Sequence, residues 1–331
     1  MPPETTTYAK ALNVALTALI ENDERVFLMG EDVGVYGGAF GVSDGLLERF
    51  GEERIRDTPI SEDAIVGAGV GAAITGMLPI VEIQFSDFVV NAMDPLINQA
   101  AKLHFMYGGR TNVPLVVRAP GGGGTGAAAQ HSQSLEAWFA HIPGLKVVLP
   151  ATVQDVHDLL IASVRDPNPV VFLEHKLLYK TEGPFEPTDV ENPVAEIGKS
   201  LVVREGSDIT IATYSLMTIK TLEAAEQLAG EGVDVEVIDL RTVRPLDIEP
   251  VRESVKKTGR LVVAHEAPVP VAVGAEVVAG VVESDALDYL LAPVKRVGAM
   301  DVPVPYAKEL EAAVIPQVDD VVDAVREVMK S

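Results

Sequence analysis

The sequence contains no cysteine among its 331 residues, which excludes disulfide bonds, thiolate metal sites and a cysteine nucleophile. Basic residues are scarce as well: 26 lysines and arginines stand against 49 aspartates and glutamates, which leaves a formal net charge of −23. Such an excess of negative charge argues against nucleic acid or an anionic membrane as a partner.

Long apolar runs and targeting patterns are also missing. Glycines and charged residues interrupt every apolar stretch before it reaches membrane-spanning length. The opening residues, MPPETTTYAKALNVAL, lack both the pattern of a secretory signal and the arginine-rich composition of a transit peptide. Hydrophobic residues make up 47% of the chain and can form a substantial core, so the sequence predicts a cytoplasmic globular protein.

Helical and strand-like patterns alternate along the chain. Apolar residues at helical spacing predict helices over residues 61–76, 91–106 and 132–141, among others, and short apolar runs predict the strands between them. This alternation is typical of parallel sheets that are covered by helices.

The alternation breaks near residues 176–199, where TEGPFEPTDVENP carries three prolines, and then resumes. We therefore predict an α/β protein with two parallel-sheet domains. The first covers residues 1–185 and the second covers residues 200–331, with a linker over residues 186–199.

The glycine run matches the dinucleotide-binding fingerprint G-x-G-x-x-G through Gly121, Gly123 and Gly126. A Rossmann unit also requires an acid at the end of the next strand to hold the ribose, and here that strand, KVVLP, ends without one. A nicotinamide-dependent dehydrogenase is therefore an alternative that rests on the fingerprint alone. Small residues in such a run suit a close approach of the backbone to another group.

His131 follows this run at the start of a predicted helix. The preceding strand, LVVRAP, leads to the carboxyl edge of a parallel sheet, where open α/β proteins bind their ligands. An imidazole at that edge can exchange protons near neutral pH, which makes His131 a candidate catalytic residue. The alternative is a structural or solvent-exposed histidine.

Glu62 lies in the first turn of a predicted helix that Ser61 can cap. The helix dipole favours a carboxylate there by about 0.3–1 kcal/mol, which is a sufficient structural explanation. Residues 64–76, however, carry no charge and are small or apolar on every side, so we expect a buried helix. Another helix could approach it closely, within the chain or across a subunit interface. An acid at the start of such a helix borders a dry region and can hold or share a proton.

Several segments together resemble one family. They are DTPISE, EIQFSDF, AAQHSQSLEAWFAHIPGLKVV, RDPNPVVFLEHKLLY, VIDLRTVRPLD and DVPVPYAKELE. In this order they resemble the beta subunits of thiamine-diphosphate-dependent 2-oxo acid dehydrogenases, a family that includes the pyruvate, acetoin and branched-chain enzymes. The resemblance covers almost the whole chain and implies a fold similar to the pyrimidine-binding and C-terminal domains of transketolase.

The resemblance assigns roles to four side chains. Glu62 matches the glutamate that hydrogen-bonds N1′ of the cofactor aminopyrimidine and so favours the tautomer that removes the proton from thiazolium C2. His131 matches a histidine near the reacting carbon, which handles protons or positions the lipoyl arm. Phe88 corresponds to an aromatic residue against the pyrimidine, and Gln84 lines the same pocket.

The resemblance also implies a potassium site built largely from backbone oxygens. Its ligands would come from Leu115, Ser163, Val164, Asp166 and Asn168. Pro167 departs from the pattern of the family within that turn.

The sequence has no Gly-Asp-Gly segment with a following Asn-containing turn, the pattern that holds a diphosphate through a divalent metal. In the family that this chain resembles, the alpha subunit brings this motif together with Mg²⁺. The resemblance therefore implies an α2β2 heterotetramer with thiamine diphosphate shared between alpha and beta, and a lipoyl acyltransferase as a further partner.

The implied activity is that of an oxidoreductase of the acetyl-transferring 2-oxo acid dehydrogenase type. Pyruvate is the first choice of substrate, acetoin the second and a branched-chain 2-oxo acid the third. A subunit that serves assembly without catalysis is an alternative of a different class.

Overall fold

The computed structural model describes residues 4–331, in which helices and strands alternate along the chain. The chain divides into two units. The first contains residues up to 121 together with 138–197, and the second contains residues 122–137 together with 198–331. The glycine-rich segment, which the domain prediction included in residues 1–185, therefore packs with the second unit.

Short apolar strands build the first unit. Its strands are β1 (Glu4–Thr7), β2 (Val26–Gly30), β3 (Ile55–Asp57), β4 (Leu78–Glu82), β5 (Val116–Arg118), β6 (Lys146–Val148), β7 (Val170–Phe172) and β8 (Glu182–Phe185). Six of them lie parallel in the order β6-β7-β5-β4-β2-β3, and β1 pairs antiparallel with β8. Every residue of β2, β4, β5 and β7 is buried, as expected for parallel strands with helices on both faces.

The helices that accompany these strands are α1 (Tyr8–Asn22), α2 (Leu46–Phe50), α3 (Glu62–Ile74), α4 (Ala101–Met106), α5 (Glu136–Ala140) and α6 (Val153–Arg165). Thr7 caps the start of α1, because its side-chain oxygen accepts a hydrogen bond of 3.2 Å from the backbone N–H of Lys10. The chain passes from the second unit back to the first within α5.

The helix predicted over residues 91–106 is divided in the structure. A 3₁₀ helix (Ser86–Ala92) and a π-helical segment (Asp94–Ala100) precede the α-helical part, α4. Pro95 lies in the first turn of the π-helical segment and has no N–H to donate to the preceding turn. Proline is tolerated in a first turn, and α-helical bonding begins at Ala101.

The small-residue helix α3 packs through one face. Ile65, Val66 and Val70 are buried, whereas Ala64 and Ala68 are exposed in this single chain. The prediction of a helix buried on every side is therefore wrong for the isolated chain, because packing covers only the face that lies on the sheet. On that face Gly69 leaves no room for a side chain: a Cβ there would lie 2.9 Å from Leu115 Cδ1 and from Val81 Cγ1.

The second unit is built on a five-stranded sheet of β9 (Leu201–Arg204), β10 (Ile209–Thr213), β11 (Val235–Asp239), β13 (Leu261–Pro268) and β14 (Lys295–Ala299). A further short strand, β12 (Thr242–Arg244), is not part of this sheet. The sheet order is β14-β13-β10-β11-β9, and only the edge strand β9 runs antiparallel to its neighbour.

Five α-helices belong to this unit: α7 (Leu216–Ala229), α8 (Glu249–Thr258), α9 (Val273–Val282), α10 (Lys308–Val314) and α11 (Val318–Met329). Its core joins the central strands to α7 and α11, where Ile211, Leu228 and Val325 are all fully buried. Across residues 4–331, helices are too short or too polar to cross a membrane.

Candidate functional site

Charged side chains collect at the carboxyl edge of the parallel sheet in the first unit. Glu31 follows β2, Glu82 ends β4, Arg118 ends β5, and Glu174 comes shortly after β7. Glu62 begins α3, the helix that follows β3. This edge is where open α/β sheets bind ligands, so the charges lie where the fold offers a site.

Glu62 is a buried carboxylate at the start of a helix. Its side chain is only 8% exposed, and the amide Nδ2 of Asn91 donates a hydrogen bond of 3.3 Å to its Oε2. Asp63, the next residue, is exposed. Ser61 occupies the N-cap position, but within the described residues its side chain makes no capping bond, so the predicted cap is wrong. The Asn91 amide and the start of the helix are therefore what hold this side chain in place.

Glu31 is a second buried acid near Glu62 and was not among the site residues predicted from the sequence. Burial raises the pKa of Glu31, and the negative charges of Glu62 and Asp32 raise it further. Its Oε1 is buried and has no hydrogen-bond partner among residues 4–331. Its position directly after a buried parallel strand was the signal that could have identified it.

Aromatic rings line the same edge of the first unit. Phe88 is partly buried and meets Phe85 edge to face, with the ring centroids 6.0 Å apart. Phe40 continues the row, 6.0 Å from Phe85. Gln84 is partly buried, and its Nε2 donates a hydrogen bond of 3.2 Å to Asp32 Oδ2. Glu62, Gln84 and Phe88 thus belong to the same unit and surround the carboxyl edge of its sheet.

A fully buried ion cluster lies at the ends of three neighbouring strands. The guanidinium of Arg118 is completely enclosed and donates one hydrogen bond of 2.6 Å to Glu174 and another to Glu82. Burial raises the pKa of Glu174 to about 7, and the charge of Glu82 adds to the rise against the attraction of Arg118. The cluster therefore carries one carboxylate more than the single cation can balance.

His131 belongs to the second unit, in the loop that runs from the glycine-rich segment to α5. It is partly buried, and its backbone N–H donates a bond of 3.3 Å to the carbonyl of Ala128. The predicted helix over residues 132–141 forms only from Glu136, so His131 lies in the loop and not at the start of the helix. Ala128 adopts a positive φ of 61°, a conformation that costs a non-glycine residue about 1–2 kcal/mol.

Comparison with known proteins accounts for this arrangement. Residues 4–182 match the pyrimidine-binding domain of transketolase, and residues 198–321 match the transketolase C-terminal domain. The chain is 47% identical over 321 residues to the mitochondrial pyruvate dehydrogenase E1 component subunit beta-2 of rice, a match that spans 97% of this chain and 85% of that protein. The chain belongs to the family of pyruvate dehydrogenase E1 beta subunits.

Other relatives of this E1 beta family agree. The E1 beta subunit of Rhizobium meliloti is 47% identical, over 98% of this chain and 70% of its own length. The mitochondrial E1 beta subunit of Saccharomyces cerevisiae is 46% identical, over 98% of this chain and 89% of its own length. A split-gene transketolase described as an inactive beta4 tetramer superposes with a TM-score of 0.80 over 98% of both chains at 24% identity, which shows the shared fold. The predicted family, with its pyruvate branch first, and the predicted fold class are confirmed.

The residues that the resemblance assigned to a potassium site lie in one region of the first unit. The carbonyl oxygen of Leu115 accepts a bond of 2.8 Å from Val170 N–H, and that of Ser163 accepts one of 3.3 Å from Asp166 N–H. The Asp166 side chain pairs with Lys146 and accepts bonds from Asn168. Val164 is buried beside Ser163 near the end of α6.

A carbonyl oxygen with one hydrogen bond keeps a second lone pair, so Leu115 and Ser163 can each still offer an oxygen to a cation. Among residues 4–331, His, Asp and Glu side chains form no group of three that could hold a metal ion. A potassium site on this chain stays a prediction.

Proposed function

We propose that this chain supplies the pyrimidine-binding half of the active site in a pyruvate dehydrogenase E1 enzyme. The observation that carries the proposal is Glu62, a buried carboxylate at the carboxyl edge of the transketolase-type sheet. The half-buried ring of Phe88 belongs to the same edge. A buried acceptor and an aromatic face suit a planar heterocycle with a ring nitrogen, so the residues present fit an aminopyrimidine.

The side chains of this protein would position the aminopyrimidine and would hold or move protons. Glu62 would hold a proton shared with N1′ of the aminopyrimidine, and Asn91 keeps that carboxylate oriented through its amide. Phe88 would cover one face of the heterocycle, and Gln84, held by Asp32, would line its edge. Thiamine diphosphate, when bound, supplies the electron sink for decarboxylation of the 2-oxo acid. His131 would move a proton near the reacting carbon during acyl transfer to a lipoyl group.

The remaining components are proposed to come from partners. An alpha subunit would hold Mg²⁺ and the diphosphate, in an α2β2 heterotetramer that delivers its acyl group to a lipoyl acyltransferase. Consecutive exposed apolar side chains support subunit contacts: Phe105, Met106 and Tyr107 are 86%, 68% and 58% exposed. Apolar surface of this kind commonly marks an interface. A cytoplasmic location stays a prediction.

Glu62→Gln tests the proposal. The chain is co-expressed with its alpha subunit, and decarboxylation of pyruvate, branched-chain 2-oxo acids and acetoin is measured. We expect pyruvate to be the best substrate and Glu62→Gln to lower its turnover by about 100-fold or more, the usual range for a lost proton-transfer group. Asp63→Asn, at the exposed neighbouring acid, is the matched control. Full activity of Glu62→Gln would show that the role assigned to Glu62 is wrong.

His131→Ala tests the second role. Decarboxylation with an artificial electron acceptor should change little, whereas acyl transfer to lipoate should slow by about 100-fold. His104→Ala, at an exposed histidine in α4, is the control. Equal loss in both assays would remove the assignment to acyl transfer.

A further inference from the structure

The second unit contains a buried carboxylate that binds the backbone of the glycine-rich loop. Glu311, on α10, is 2% exposed. Its Oε1 accepts a hydrogen bond of 2.8 Å from Gly124 N–H, and its Oε2 accepts one of 2.8 Å from Gly126 N–H. One carboxylate therefore chelates two amides of the loop through separate oxygens, which fixes both the position and the orientation of that backbone.

A second carboxylate holds the same loop at two further points. Glu266, in β13, is 8% exposed, and its Oε1 accepts a bond of 2.8 Å from Gly123 N–H. The hydroxyl of Ser134 donates to the same oxygen at 3.2 Å. Since Gly123 precedes His131 and Ser134 follows it, Glu266 secures the loop on both sides of the histidine.

The glycines are what allow this geometry. Gly124 and Gly126 have φ angles of +89° and +70°, and the N–H groups of both point to Glu311, much as backbone nests bind anions. At Gly123 a Cβ would lie 2.2 Å from Ile315 Cδ1, just beyond α10. The close approach that the glycine run indicates is therefore an approach to Glu311 and its neighbours, which act as an internal anion for the nest.

The part of the loop nearer to His131 depends on these anchors. Ala128 holds a positive φ, and its carbonyl accepts the N–H of His131 in a weak bond of 3.3 Å. A strained turn of this kind persists only where the surrounding structure imposes it. The carboxylates of Glu311 and Glu266 supply that constraint within the second unit.

We propose that Glu311, assisted by Glu266, is a positioning residue that sets the place of the His131 imidazole by fixing the loop conformation. Neither carboxylate needs to touch substrate or cofactor. The consequence for acyl transfer rests on the proposed function of His131, whereas the structural effect on the loop does not.

The structural test is hydrogen exchange of the assembled complex, followed by mass spectrometry on peptides that cover residues 122–131. Glu311→Gln keeps the shape but presents an NH₂ group to one of the two N–H donors, so one bond is lost. We expect about tenfold faster exchange in these peptides. Glu309→Gln, at an exposed glutamate on the same helix, should exchange like the wild type. Exchange of Glu311→Gln at the wild-type rate would overturn the proposal.

The functional test is a double-mutant cycle. Glu311→Gln should lower kcat for acyl transfer by about tenfold, with KM for the 2-oxo acid and decarboxylation unchanged. In a His131→Ala background the same change should cost nothing more, since there is no imidazole left to position. Additive losses would overturn the proposal.

Two further outcomes keep the tests separate. If Glu311→Gln does not assemble, Glu266→Ala removes the oxygen that accepts from Gly123 N–H and from the Ser134 hydroxyl. Its exchange is measured in the same peptides: we expect it to be about tenfold faster, and exchange at the wild-type rate would overturn the proposal. If His131→Ala leaves acyl transfer unchanged, the proposed function of His131 fails, and the exchange rates still decide whether Glu311 holds the loop.

Discussion

Glu174→Gln should change how stability depends on pH, because it neutralises the surplus charge of a fully buried cluster. In the wild type, Arg118 donates to both Glu174 and Glu82. Glu174 Oε2 and Arg118 Nη2 have no partner among the described residues. Burial raises the pKa of Glu174 from 4.5 to about 7, so glutamine resembles its protonated form.

The sign of the effect follows from proton binding. A carboxyl whose pKa is higher in the folded chain binds its proton more tightly when folded. Its contribution to stability is present below the unfolded value of 4.5 and is lost as pH rises through about 7. One pKa unit corresponds to about 1.36 kcal/mol. Between about pH 5 and about pH 8, the free energy of unfolding of the wild type should therefore fall by about 2–3 kcal/mol relative to that of Glu174→Gln.

Urea unfolding followed by circular dichroism, repeated across this pH range on both chains, measures the difference. Titratable groups other than Glu174 contribute equally to the wild type and to Glu174→Gln, so their contributions cancel in the difference. Glu52→Gln, at an exposed glutamate, is the control and should run parallel to the wild type. If the wild type and Glu174→Gln also run parallel, Glu174 does not titrate as its burial implies, and the account of the cluster is wrong.

Two further substitutions test the packing of the first unit. Arg118→Met leaves two buried carboxylates without a counter-charge and should lower the free energy of unfolding, measured in urea titrations, by about 3–5 kcal/mol. A loss below about 1 kcal/mol would mean that water reaches the cluster. Gly144→Ala places a Cβ 2.0 Å from the carbonyl of Ala101 at a φ of +102°, so the backbone must move and calorimetry should show a loss above about 3 kcal/mol. Gly51→Ala, where φ is +75° but no atom lies within 4 Å, should lose only about 1–2 kcal/mol, and equal losses would contradict the predicted clash.

Local patterns were enough to predict the α/β class and the place of Glu62. Helical spacing and short apolar runs indicate whether a segment is a helix or a strand, and both patterns involve only residues that are close together in the sequence. The start of α3 at Glu62 and the buried parallel strands could therefore be predicted before any tertiary contact was known. The roles of Glu62 and His131 came from the family resemblance and not from periodicity.

Only the tertiary structure decided which distant residues meet. Gly124 and Glu311 are 187 residues apart in the chain, and no local pattern relates a glycine loop to an acid so far away. The same holds for Arg118, whose partners Glu82 and Glu174 meet it because β4, β5 and β7 are neighbours in the sheet. Strand order and loop packing depend on the whole chain, so the groups that surround and hold the candidate site became visible only with the fold.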